Sequence, residues 1–72
     1  MNETVKRRLE NIYGKVAKIK YEADYINEDL IPVVGDDSED LVTIEMSLDN
    51  IERWARETRE YVRNNYDEFE EE

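Results

Sequence analysis

A chain of 72 residues with no cysteine and no histidine has room for one small domain. It cannot use disulfides, thiolate or imidazole metal ligands, or the usual nucleophile–base pairs of covalent catalysis. With 20 acidic against 10 basic residues its net charge is −10, and a core of this size gives marginal stability, so self-association is the stabilising device that remains.

The charge is unevenly placed. Residues 1–20 hold six basic and two acidic residues, a net of +4, whereas residues 21–72 hold four arginines and 18 acidic residues, a net of −14. No apolar segment follows the basic residues Lys6, Arg7 and Arg8, which speaks against a secretory signal. The longest apolar run, Leu30-Ile31-Pro32-Val33-Val34, is far short of a membrane span. Together with the lack of cysteine this gives the expectation of a cytoplasmic protein that does not bind a membrane.

In chain order, the first element is a helix over about 3–30. Its apolar residues Val5, Leu9, Ile12, Val16, Ile19, Ala23, Ile26 and Leu30 alternate spacings of four and three, the heptad of a coiled-coil-like seam. Pro32 disfavours helical geometry at Ile31 and is expected to end the helix near Leu30. A connector over 31–37 follows, in which Gly35 is expected to permit a turn that other residues resist. Asp36, Asp37 or Ser38 can cap the next helix, and Asp36 with Glu39 has capping-box spacing.

The second helix, about 38–66, repeats the seam with Leu41, Ile44, Leu48, Ile51, Ala55, Thr58 and Val62. Beyond it the register frays, and residues 67–72 read as an acidic, solvated tail whose charge opposes the helix dipole. Two seams and a short connector predict an all-α, antiparallel two-helix hairpin over 1–66. Folding back sets Lys6, Arg7 and Arg8 beside the acidic tail and crowds Glu28, Asp29, Asp36, Asp37, Glu39 and Asp40 at the tip, with no basic residue between Tyr21 and Asn50.

Apolar residues off the seam widen each stripe. Trp54 and Tyr61 lie seven apart beside the second seam, and Tyr13, Ala17, Tyr21 and Tyr25 form a ridge on the first helix. Such a width suits a helix with more than one neighbour. The expectation is a homodimer forming a four-helix bundle, with a monomer docked on a foreign protein as its rival. Trp54, Tyr61, Tyr13, Tyr21 and Tyr25 are the expected aromatic interface residues.

Chemistry of its own is not expected, nor any cofactor. Glu57-x-x-Glu60 with Glu68-x-x-Glu71 is the nearest match to the paired carboxylates of all-α nucleotide pyrophosphohydrolases of the MazG kind. The gap between the pairs is too short and the first pair faces away from the seam. Gly35 precedes the acidic run instead of lying inside it, unlike a calcium loop. Asp49–Arg53–Glu57, Glu52–Arg56–Glu60 and Arg63–Asp67 are spaced as i, i+4 pairs of a solvated helix. The basic residues of the first third scatter around their helix on an acidic molecule, so direct nucleic-acid binding is not expected either.

The reading is therefore a small acidic, non-enzymatic protein-interaction module, a regulator or inhibitor of a protein partner. Two alternatives stay open: a nucleic-acid-mimicking decoy, a use for which small acidic phage inhibitors of host enzymes have the same composition, or a purely structural self-associating coiled coil.

Overall fold

The computed structural model describes residues 2–35 and 38–70. Among them there is no strand, and the chain is an all-helical hairpin 54 Å long, 18 Å wide and only 10 Å thick between Cα extremes. Helix α1 runs Glu3–Tyr25, helix α2 Ser38–Asn64, and a short third helix, α3, Tyr66–Glu70. The helices pack antiparallel, since Arg8 meets Glu68 near the open end and Glu22 meets Ser47 toward the tip. No helix among the described residues is long and apolar enough to cross a membrane.

Local chemistry sets the ends. Asn2 caps α1, its side-chain oxygen accepting the Val5 N–H at 2.8 Å. At the other end α-geometry stops at Tyr25, and Ile26–Leu30 widen into a π-helical turn, with the Ile31 N–H donating to the Ile26 carbonyl. Pro32 explains this: its ring collides with the carbonyl four residues back, that of Glu28, and a wider turn moves this carbonyl aside. The expectation that Ile31 leaves helical geometry is corrected. Ile31 keeps φ −59° and ψ −44°, and a 3-10 turn at Ile31–Val33 carries the chain past the proline before Val34 becomes extended.

Gly35 is a second correction. No described residue has positive φ, so the turn makes no use of glycine's freedom; a Cβ there meets only Asp40 Oδ2 at 3.8 Å. What holds the turn is the Gly35 N–H, which donates to that Asp40 carboxylate at 3.0 Å. The proposed caps Asp36 and Asp37 lie outside the described residues.

The two seams meet along only half their width. Val5 and Ile26 are buried and Ile12, Ile19, Ile44 and Ile51 half-buried, with Thr58 buried in line with them. Thr58 satisfies its hydroxyl on the Trp54 carbonyl at 2.7 Å, which makes it tolerable there. The rest of the seam is less well covered: Leu9, Val16, Leu41 and Leu48 stay 42, 49, 59 and 51 % exposed and Ala55 is exposed, while Ala23, Leu30 and Val62 are half-buried.

Candidate interaction surface

The half-used seam follows from helix geometry. At 3.5 residues per turn, the residues three and four positions after an inward one lie about 50° to either side of it. Because the helices are antiparallel, both "plus three" stripes fall on one side of the hairpin and both "plus four" stripes on the other. The structure treats these two sides in opposite ways.

The plus-three side is closed by a polar and aromatic clasp. Arg8 donates from Nε and Nη2 to the two carboxylate oxygens of Glu68, at 2.6 and 3.2 Å, and from Nη1 to the Tyr61 hydroxyl at 3.1 Å. Asn11 donates to the same hydroxyl at 2.9 Å. Lys15 Nζ stands 5.0 Å from the Tyr61 ring centroid and Lys18 Nζ 4.4 Å from that of Trp54, both cation–π contacts. Nearer the tip the buried Ser47 hydroxyl and the Asn50 amide both donate to Glu22. Its recess, lined by Lys15, Lys18, Trp54, Glu57 and Thr58, is about 50 Å³.

Electrostatics follow the clasp. The Arg8 hydrogen bonds hold the Glu68 carboxyl below its ordinary 4.5, and Glu68 with Tyr61 pushes Arg8 upward. Hydrogen bonds from Asn11 and then Arg8 lower the Tyr61 hydroxyl. Tyr66–Glu70 is thus a pinned helical turn, where the sequence suggested a loose tail; Asn65 bridges the break, its amide donating to the Tyr61 carbonyl at 2.6 Å.

The plus-four side is open. Extending the cross-helix register fixed by Glu22–Asn50 and Asn11–Tyr61 gives three layers, Leu9 with Val62, Val16 with Ala55 and Ala23 with Leu48, in which Val62 and Ala23 are half-buried and the others exposed; the exposed Leu41 and the half-buried Leu30 of the π-turn lie beyond them toward the tip. A hollow of about 390 Å³ opens there beside Lys6, Leu9, Glu10 and Tyr13, and another of about 150 Å³ beside Tyr13, Val16, Ala17, Lys20 and Tyr21. The outer edge of this face carries Lys6, Tyr13, Lys20 and Asn27 on the first arm. On the second arm it carries Glu45, Glu52, Arg59 and Tyr66, and all eight are exposed.

The expected aromatic residues are therefore divided. Trp54 and Tyr61 belong to the clasp, Tyr13 (78 % exposed) to the edge of the open face, and Tyr21 and Tyr25 to the outer surface of the first arm. At the tip Glu28, Asp29 and Glu39 are exposed and Asp40 is half-buried on Gly35. Of the expected i, i+4 pairs on α2, Glu52–Arg56 closes to 3.7 Å, while Arg53 donates to Asn50 at 3.0 Å. Sequence reasoning set Arg8 beside the acidic tail, where it meets Glu68, but missed its bond to Tyr61 and the roles of Asn11, Glu22 and Ser47; their common signal is a polar residue three positions after an inward apolar one, or one turn from it.

The fold defines the chain as a two-helix hairpin with one side closed by the clasp and the other more open. No protein-family model matches the chain, and no curated protein or solved structure is significantly similar to it.

Proposed function

We propose that this chain is a small acidic, non-enzymatic interaction module whose open apolar face is covered by protein, in the first place by a second copy in a four-helix bundle. The observation that carries the reading is the row of exposed apolar residues Leu9, Val16, Leu41 and Leu48 along one side of a molecule one helix thick. A regular heptad whose two halves are equally apolar is complete only when both halves are covered. The arrangement suits binding and assembly rather than chemistry, because the clasp's polar groups are spent on one another. Regulation or inhibition of a further protein partner is the function this reading gives the assembled module, which keeps the acid tip and the clasp on its outside.

Methyl-resolved NMR with a soluble paramagnetic agent tests the reading. Raising the protein concentration should shield the methyls of Leu9, Val16 and Leu48, while those of Val42, on the outer surface of α2, stay accessible. Equal accessibility of both groups at every concentration would remove the self-association. A second reading, nucleic-acid mimicry, is favoured by one feature: residues 21–49 hold ten acidic residues and no basic one. It predicts that binding to a basic target weakens steeply with salt and is displaced by a duplex.

A further inference from the structure

We infer that two copies join with their tips at the same end, each α1 lying along the partner's α2. This rests on the self-association proposed above and adds its geometry. Only two symmetric face-to-face packings exist for such a hairpin. With the two-fold axis parallel to the helices, each first arm meets the second arm of the partner; with the axis across the helices, each arm meets its own copy.

The layers do not choose between them. Val16 beside Ala55 and Ala23 beside Leu48 alternate large and small, so in either packing a large residue meets a small one, the condition for interdigitation. Choice lies with the exposed edges. In the parallel-axis packing the cross-helix register already seen inside the hairpin brings Lys20 to the partner's Glu52, Tyr13 to the partner's Arg59 and Asn27 to the partner's Glu45. These are an ion pair, a cation–π pair and an amide–carboxylate pair, and each occurs twice by symmetry.

The crossed-axis packing at full overlap instead sets Lys20 on the partner's Lys20 and Glu52 on the partner's Glu52, beside the axis. Sliding by one heptad relieves this, but it uncovers one end of the joint, at Leu30 and Leu41 or at Leu9 and Val62 according to direction. Lys20 and Glu52 also keep helical partners in Asp24 (3.9 Å) and Arg56 (3.7 Å), which orient them on the edge. Tip charge works against the favoured packing at long range. Its members Glu28, Asp29 and Glu39 are exposed to solvent and to salt, which screens them.

The lack of cysteine makes the test clean. Lys20→Cys chains are mixed with Glu52→Cys chains and treated with a short bis-maleimide. The expected result is mixed cross-linking well above the linking of either chain with itself. In parallel, Lys20→Glu or Glu52→Lys alone should weaken the dimer about tenfold by turning two attractions into repulsions, and the double exchange should restore it to within about twofold. Like-with-like links, no mixed link in a dimeric sample, or single exchanges without effect overturn the orientation and leave the dimer standing. A monomer at every concentration overturns the self-association itself.

Discussion

Leu48→Ala separates the two halves of the seam. Full burial of a leucine side chain is worth about 1.5–3 kcal/mol, and Leu48 is still 51 % exposed in the single hairpin. Roughly half that gain therefore remains for docking, about 1 kcal/mol per copy. A symmetric dimer doubles it to about 2 kcal/mol, a dissociation constant raised about 30-fold. Sedimentation velocity over a concentration series reads this directly. Ile51→Ala is the contrasting variant: Ile51 faces α1, so its loss should lower the melting temperature of the hairpin as well as its self-association. If Leu48→Ala leaves the dissociation constant within threefold of the parent, the open face is not the joint and the reasoning fails.

Gly14 sits in the middle of α1, and a Cβ added there would meet nothing within 4 Å; Gly14→Ala should stabilise the chain by about 1 kcal/mol and raise the melting temperature about 4–8 °C by circular dichroism. Gly35→Ala, at a turn without positive φ, should be neutral to stabilising by about 0.5 kcal/mol; a clear loss would show that the turn needs glycine. Because Arg8 depresses Glu68 below 4.5, the stability this contact gives is complete above that value and is lost as pH falls through the lowered one. Acidification from pH 7 through the range below 4.5 should thus progressively release Tyr66–Glu70, read as increased hydrogen exchange there, and Glu68→Gln should remove that step. Glu28→Gln with Asp29→Asn should tighten the dimer at 10 mM salt and have little effect at 0.5 M, where the Debye length is only a few ångströms.

The heptad made the two helices legible, because a repeat of alternating threes and fours over 26 residues has no strand reading. It did not disclose which half of the seam closes the hairpin. Leu9 and Ile12 are equally apolar in sequence, and what separates them is the neighbour three positions after the inward residue: Arg8, Ser47 and Tyr61 supply polar contacts that draw that side shut. Such contacts join residues up to 60 apart, and no local pattern announces them. Folding back already set Arg8 beside the acidic tail; that the contact with Glu68 goes with a helical turn at Tyr66–Glu70 instead of a loose tail required the fold. Pro32 was legible as a disturbance but not in its form, because the chain can answer a proline by widening the preceding turn as well as by stopping. Trp54 and Tyr61 were expected at a partner interface; that they meet lysines and an arginine of the same chain required the fold.

The mass in solution tests the central claim most directly. Sedimentation equilibrium from micromolar to millimolar chain should converge on twice the 8.7 kDa of one chain, with helicity by circular dichroism at its full value where the dimer forms. A mass that stays at 8.7 kDa throughout, with the helices fully formed, would contradict the account.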